Sequence, residues 1–124
     1  TPKCEPGVQA HVNAQLIMQA CINLIDNAVK YSRPDSEVRI SSYRDFKGYV
    51  CISVSDDGIG IPEQHQERVF ERFYRIDKAR SREMGGTGLG LAIVKHIIRA
   101  HNGSVTLSSS ENIGSTFIVS LPPL

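Results

Sequence analysis

The feature that most constrains the fold is the run from Asn13 to Tyr31, NAQLIMQACINLIDNAVKY, whose apolar residues recur at the spacing of one helical face. At roughly 100° per residue, the side chains on one apolar arc are Ile17, Ala20, Cys21, Leu24 and Ala28. Asn13 is a favourable N-cap residue, and Pro34 disfavours helical geometry in the residue before it. The sequence therefore predicts an amphipathic helix that ends near Ser32 and buries this arc against another layer.

Three polar side chains share the border of this arc. Asn23, Asn27 and Lys30 are spaced by four and then three residues, so they stack along one flank of the helix. Asn is unfavourable inside a helix because its amide competes for backbone hydrogen bonds. Amide oxygens suit Mg²⁺, which takes few protein ligands together with the phosphates of a nucleotide. The alternative is a solvated border on which Asp26 and Lys30 form an i,i+4 ion pair.

The composition is that of one ordinary folded domain. The 124 residues are enough for a core, with 40% hydrophobic and 22% charged residues and a formal net charge of +1. This balance does not indicate a nucleic-acid partner or a membrane surface. The three cysteines fit reduced thiols of a cytosolic protein, and no apolar run is long enough to span a bilayer. Because the chain starts without Met, we expect it to be a piece of a longer protein.

Alternating apolar and polar residues predict two antiparallel hairpins that pack one face against the helix. The second hairpin turns at Asn112-Ile113-Gly114, a sequence typical of a tight turn. A further short helix is predicted at residues 63–74, with its apolar residues facing inward. The predicted strands are residues 7–12, 37–43, 49–55, 104–109 and 115–121.

A polar, glycine-rich segment, Asp56-Asp57-Gly58-Ile59-Gly60-Ile61-Pro62, directly follows the second strand of the first hairpin. Open sheets tend to place ligand sites at such strand ends, and the glycines let backbone approach a ligand closely. Asp56 is then an acceptor aimed at a donor such as an exocyclic amine, in a pocket walled by Ile59 and Ile61. The alternative is a turn in which Asp56 and Gly58 only satisfy backbone geometry.

Two later segments indicate an anion site. Residues 75–82, RIDKARSR, carry four basic side chains without apolar periodicity, which is typical of a mobile loop that grips an anionic substrate or of a solvated linker. Gly86, Gly88 and Gly90 then open an apolar helix that ends at Asn102-Gly103, and free backbone N–H groups at such a helix start bind phosphate. Dinucleotide-binding and P-loop motifs do not match, because a charged loop precedes these glycines and no Lys-Ser or Lys-Thr follows.

The order of five short motifs is more specific than any one of them. NxxxNAxKY, DxGxG, FERFYR, GTGLGL and GSTF follow one another along nearly the whole chain. This series closely resembles the catalytic ATP-binding domain of bacterial sensor histidine kinases, in the wider class of the gyrase B, Hsp90 and MutL ATPases. The sequence from Tyr74 to His96 is most similar to that of kinases of the phosphate-sensing type. The resemblance implies an α+β Bergerat-type fold, a two-layer α/β sandwich with a mixed, mostly antiparallel sheet of about five strands and helices on one face.

The resemblance implies roles for residues of the first helix and of the first glycine segment. Asn27 resembles the Mg²⁺ ligand of the family, and Asn23 lies beside it. Lys30 resembles a phosphate contact, and Tyr31 resembles the ring that lies against the nucleotide base. Asp56 matches the acidic residue that accepts a hydrogen bond from the adenine amine.

Further roles are implied around a lid over the ATP. Phe70, Phe73 and Tyr74 match an aromatic cluster at the root of this lid. Arg75 resembles the arginine that reaches the terminal phosphate. The resemblance implies that Arg75 and Lys30 are the catalytic residues. The remaining residues implied to contact the nucleotide, the last through a water at the adenine, are Gly58, Gly60, Ile61, Gly86, Thr87, Gly88, Leu89, Gly90, Leu91 and Thr116.

By this resemblance, residues 1–124 form one catalytic domain that binds ATP and Mg²⁺ and donates the γ-phosphate to a histidine on a separate dimerisation domain. The implied partners are that upstream domain and, through it, a response regulator, with no nucleic acid. The phosphoacceptor histidine is normally followed by an acidic residue, a setting that is absent at His11, His65, His96 and His101. The implied full-length protein is a homodimer anchored in a membrane, with this domain in the cytoplasm, and the isolated domain is expected to be a monomer.

Two other functions remain open at this point. One is an ATP-driven conformational switch in the manner of gyrase or Hsp90, whose members commonly carry a water-activating Glu four positions before the metal-binding Asn. That position is Asn23 here, and an amide cannot accept the proton, which argues against a hydrolase. The other is a degenerate nucleotide-binding module that only binds partners, against which the complete motif set argues.

Overall fold

A five-stranded sheet with helices packed on it forms the core of the computed structural model, which describes residues 2–4, 13–32, 35–72, 74, 90–110 and 112–122. The strand order is β1-β2-β3-β5-β4, with β1 parallel to β2 and the other neighbours antiparallel. The predicted α+β sandwich with a mixed, mostly antiparallel sheet is confirmed. In chain order the elements are β1 (Pro2–Cys4), α1 (Ala14–Tyr31), β2 (Arg39–Arg44), β3 (Val50–Asp56), α2 (Glu63–Gln66), α3 (Gly90–Ala100), β4 (Ser104–Ser110) and β5 (Gly114–Leu121).

Helix α1 has the caps and the buried face that its sequence predicts. The Asn13 side chain accepts a hydrogen bond from the Leu16 N–H at 3.3 Å, and Ser32 leaves the helix in an extended conformation. Ala20, Leu24 and Ala28 are buried, while the outer members of the arc are half-buried. This face packs against β3 and α3, so the flank with the two amides lies at the edge of the helical layer.

The buried side chains of the sheet and the helices form one hydrophobic core. Val54 of β3 and Phe117 of β5 oppose each other in register and are each 1% exposed. Leu24 from α1 and Val94 and Ile98 from α3 cover them, each at most 1% exposed. Strand side chains alternate between the two faces of a sheet. Asp56 lies two residues after Val54, and Ser115 lies two residues before Phe117, so both also point into the helical layer.

Two predicted elements differ in the structure. The helix predicted at residues 63–74 is an α-helix only over Glu63–Gln66, and the chain continues to Arg72 in turns whose backbone bonds mostly span three residues. Val69 is buried and Phe70 is half-buried, and both pack on the core from these turns. The first strand lies at Pro2–Cys4, and the strand predicted at residues 7–12 falls outside the described residues.

The remaining boundaries agree with the sequence. Both hairpins have the predicted pairing, and α3 ends where Asn102 has a φ of 61° and the Gly103 N–H bonds to the Ile98 carbonyl at 2.9 Å. Cys51 is buried and Cys21 half-buried, both as free thiols. Within the described ranges, none of the helices has the length and apolar character needed to cross a membrane.

Candidate functional site

Three chain segments meet at the end of β3, and glycines allow their close approach. A Cβ atom on Gly58 would lie 2.0 Å from the Tyr31 carbonyl oxygen, the last carbonyl of α1. A Cβ atom on Gly114 would lie 2.1 Å from the Asp56 carbonyl oxygen, and Gly114 has a φ of 147° that other residues rarely adopt. The last turn of α1, the loop after β3 and the start of β5 therefore form one junction around Asp56.

The Asp56 carboxylate is held in this junction with little access to water. It is 5% exposed, and its Oδ1 accepts a hydrogen bond from the Gly58 N–H at 2.8 Å. Burial raises the pKa of the Asp56 carboxyl above its usual range, while backbone N–H donors of Gly58 and Ser115 act in the opposite direction. A carboxylate accepts about four hydrogen bonds, so Asp56 retains capacity for a further donor.

Ser115 lies directly opposite Asp56, and the sequence prediction missed it. The two residues are register partners, Ser115 is 7% exposed, and its hydroxyl pairs with that of Ser109 at 2.8 Å. Thr116 instead points to the other face of the sheet, where its hydroxyl pairs with Ser55 at 2.8 Å. Because adjacent strand residues face opposite sides, Thr116 does not share a face with Asp56, and its contact to a water at the adenine stays a prediction. Ser115 lies two residues before the buried Phe117, so the alternation of the strand places both side chains on the same face.

The amides on the flank of α1 are not equivalent. Asn23 donates to the Gly90 carbonyl at 3.4 Å and accepts from the Gln19 amide at 2.9 Å, so it connects α1 to the first residue of α3. Asn27 is half-buried, and its side chain makes no hydrogen bond within the part of the chain that the structure describes. Of the two predicted metal ligands, Asn27 is therefore the one with an available amide oxygen.

Lys30 forms the ion pair that the sequence offered as an alternative, with its Nζ 3.1 Å from the Asp26 Oδ2. Its side chain is 30% exposed, whereas that of Asp26 is 60% exposed. Exposed i,i+4 pairs contribute only about 0.3–0.5 kcal/mol, so Lys30 can exchange Asp26 for a phosphate at low cost. The ion pair and the phosphate role are compatible.

The start of α3 offers open space beside the amide flank. Gly90 is its first residue, and a Cβ atom placed there would meet no heavy atom of the described residues within 4 Å. The first N–H groups of a helix lack helical partners and attract anions. An open helix start beside the Asn23 contact, with the available Asn27 oxygen on the same flank, fits a nucleotide phosphate with its Mg²⁺.

No group of three or more His, Cys, Asp and Glu side chains is positioned to hold a metal ion within the described ranges. A Mg²⁺ ion at this flank would therefore depend on the Asn27 oxygen, on phosphate oxygens of the nucleotide and on water.

The remaining described site residues form the base of the junction. Ile61 is 9% exposed, and its N–H donates to the Ser109 hydroxyl at 2.8 Å, while Gly60 before it is buried. Leu91 packs on the core from α3. Tyr31 is the half-buried last residue of α1, and its carbonyl accepts from the Ile59 N–H at 3.3 Å.

Two aromatic residues of the predicted lid root pack on the core. Phe70 meets Phe117 edge-on, with ring centroids 5.9 Å apart. The Tyr74 hydroxyl bonds to the His65 Nδ1, and the Arg68 guanidinium lies 4.7 Å from the Tyr74 ring centroid. The predicted site residues outside the described ranges are Phe73, Arg75, Gly86, Thr87, Gly88 and Leu89, and their roles stay predictions.

Residues 12–124 match a family model described as Histidine kinase-, DNA gyrase B-, and HSP90-like ATPase. Among curated proteins, the sensor-like histidine kinase SenX3 of Mycolicibacterium smegmatis is 55% identical over 107 residues. That match covers 86% of this chain and 28% of SenX3, so the chain spans little more than a quarter of this relative.

Solved structures of histidine kinases share the fold. The mycobacterial sensor histidine kinase MprB superposes with a TM-score of 0.85 at 32% identity, over 99% of this chain and 81% of that one. Full-length ShkA in complex with AMPPNP superposes with a TM-score of 0.82 at 27% identity, over 98% of this chain and 25% of that one.

Proposed function

Because the chain belongs to the family of histidine kinase-, DNA gyrase B- and HSP90-like ATPases, we propose that it is the ATP-binding catalytic domain of a sensor histidine kinase. In this role it binds Mg²⁺ and ATP and presents the γ-phosphate to a histidine on a separate dimerisation domain. The sequence relationship to SenX3 and the likeness to MprB support this function.

The observation that carries the proposal is the buried Asp56 carboxylate. An ionised carboxylate with 5% exposure is costly to bury, and two backbone donors compensate only part of that cost. An adenine amine supplies a further donor, whereas a guanine presents a carbonyl at the equivalent position and would face the carboxylate with like partial charge. We infer that Asp56 selects adenine, with Ser115 beside it as a second polar contact.

The amide flank of α1 and the start of α3 then lie where the triphosphate extends. The Asn27 oxygen, the Lys30 ammonium and the first N–H groups of α3 are the groups of the described chain that bind and orient it. When bound, Mg²⁺ neutralises charge that develops on the phosphates during transfer. Phosphoryl transfer depends mainly on such positioning and charge neutralisation. Arg75 remains the predicted contact to the terminal phosphate.

The wider assembly follows from the same proposal. The upstream dimerisation domain is the phosphate acceptor, a response regulator receives the phosphate from it, and the full-length protein is a homodimer. The catalytic domain then works in the cytoplasm beneath a membrane anchor. SenX3 is named a sensor-like histidine kinase, which supports the role of a sensor kinase for this chain.

Asn23 favours the kinase over an ATP-hydrolysing switch. Its amide contacts Gln19 and Gly90, and an amide cannot take the proton of an attacking water. Transfer to a histidine does not require such a base at this position. The availability of Asp56 and Asn27 also argues against a degenerate module.

Radiolabelled ATP distinguishes these functions. We expect label from the γ-phosphate to appear on the dimerisation domain encoded upstream of this chain when the two are mixed with Mg²⁺, and not on this chain alone. ATP binding with release of inorganic phosphate but no labelled domain would favour the switch. Absence of ATP binding would favour the degenerate module.

A further inference from the structure

A groove runs between the outer side of α3 and the turns that follow α2. Among the described residues, one wall carries Phe70 and Arg72, and the other carries Lys95, His96 and Arg99, around a volume of about 430 Å³. We call this the α3 groove. None of the described residues that line this groove is among those proposed to bind nucleotide.

Among the described residues, the positive charge on the α3 wall has no carboxylate partner. Lys95 and Arg99 lie one helical turn apart and, within the described part of the chain, neither forms an ion pair. Glu71, the carboxylate at the opposite wall, is held by Arg68 at 3.3 Å. A concave surface with fixed cations and low-dielectric walls attracts anionic groups more strongly than isolated surface charges do.

The floor of the groove is aromatic. The half-buried Phe70 ring packs edge-on against Phe117, which is itself 1% exposed. The Lys95 Nζ lies 5.9 Å from the centroid of the Phe70 ring. The groove thus offers one apolar contact between cationic side chains, a combination that suits an amphipathic ligand.

We propose that the α3 groove binds an acidic amphipathic segment of a partner protein. An apolar side chain of the segment packs on Phe70, and carboxylates one helical turn apart pair with Lys95 and Arg99. Charge complementarity identifies the partner as acidic. A volume of about 430 Å³ is near the low end for ligand pockets and admits a few side chains.

A nucleic acid fits this surface less well. Binding a phosphate backbone requires an extended basic stripe, whereas the chain has a net charge of +1 and this basic cluster spans about one turn of α3.

Fluorescence anisotropy with a labelled synthetic helix of about 15 residues tests the proposal. The probe carries a leucine stripe flanked by glutamates, and a matched probe replaces each glutamate with glutamine. We expect saturable binding of the acidic probe and at least ~10-fold weaker binding to the Lys95→Glu, Arg99→Glu double variant. The glutamine probe should lose affinity for the parent chain to a similar extent.

Arg44→Glu with Lys47→Glu is the matched control, because it reverses two exposed charges on the β2–β3 hairpin, away from the groove. It should change affinity by less than about twofold. A Lys95→Gln, Arg99→Gln variant, which only removes charge, should give an intermediate loss of affinity for the acidic probe. Circular dichroism melts report whether each variant is folded.

Three results would overturn the proposal. One is the lack of saturable binding of the acidic probe at concentrations on the order of 1 mM. Another is an equal loss in the hairpin control, which would show unspecific charge attraction. The third is tighter binding of a single-stranded oligonucleotide of equal charge that the Lys95→Glu, Arg99→Glu variant abolishes, which would assign the groove to nucleic acid.

Discussion

At the scale of single residues, Asp56 is expected to determine nucleotide selectivity. Replacing Asp56 with Asn leaves a neutral amide as the acceptor for the adenine amine, so ATP affinity should fall by about 1–3 kcal/mol. GTP affinity should not fall, because the repulsion between the carboxylate and the guanine carbonyl is removed. Asp57→Asn is the matched control, because that neighbouring carboxylate bonds to Arg39 at 2.9 Å instead. Calorimetric titration of both nucleotides measures the effect. Equal binding of ATP and GTP by the parent chain would refute the role of Asp56.

The same residue should leave a signature in the pH dependence of stability. Burial raises the Asp56 pKa in the folded state, so the folded chain holds this proton more tightly than the unfolded chain. The resulting stability is present below the unfolded value, about 3.9, and is lost as pH rises through the folded pKa. The unfolding free energy of the parent minus that of Asp56→Asn should therefore fall from about pH 4 upward and then level off. Urea titrations of both proteins measure this difference, and a flat one would contradict the burial.

At the scale of elements, the contact between α1 and the loop after β3 requires the absence of a side chain at Gly58. The Cβ atom of Gly58→Ala would meet the Tyr31 carbonyl at 2.0 Å, so the chain must shift at an estimated cost of about 1–3 kcal/mol. Gly90→Ala is the matched control, because its Cβ would enter open space and alanine favours helix. Urea denaturation should show a clear loss for the first variant and little change or a gain for the second. Equal stability of the two variants would show that the contact between α1 and the loop after β3 tolerates a side chain at position 58.

The elements that the sequence predicts well have long, periodic patterns. The apolar arc of α1 and the alternation in both hairpins each repeat several times, so their positions and pairing follow from local rules. The segment after α2 also has apolar residues at helical spacing, but its backbone bonds mostly span three residues, so its helix was predicted too long. The motif alone does not give the face of the sheet on which Thr116 lies, because that depends on the pairing of β5 with β3.

At the scale of the whole molecule, the candidate site depends on contacts that no local pattern contains. Asn23 and Asn27 have the same residue type and lie one turn apart, yet only the packing of α1 against Gly90 engages the first and leaves the second available. The sequence predicts both on one flank of α1. Tertiary packing determines which of them is available to a ligand.

This difference predicts how nucleotide stabilises the whole fold. A ligand that binds only the folded state stabilises it by RT ln(1 + [L]/Kd), about 2.7 kcal/mol at 100 times Kd. If Asn27 supplies an oxygen to Mg²⁺, ATP with Mg²⁺ should raise the melting temperature of the parent chain more than ATP with EDTA does. In Asn27→Ala this metal-dependent increment should disappear, while the increment with EDTA persists, because the base still meets Asp56.

Asn23→Ala provides the control for that measurement. This substitution removes the hydrogen bond to the Gly90 carbonyl and should lower the melting temperature of the free chain. The Asn23→Ala variant should nevertheless retain part of the metal-dependent increment. Differential scanning fluorimetry across a series of ATP concentrations separates the two effects, because the free-chain value is read without ligand. A full metal-dependent increment in Asn27→Ala, or its complete loss only in Asn23→Ala, would transfer the ligand role from Asn27 to Asn23.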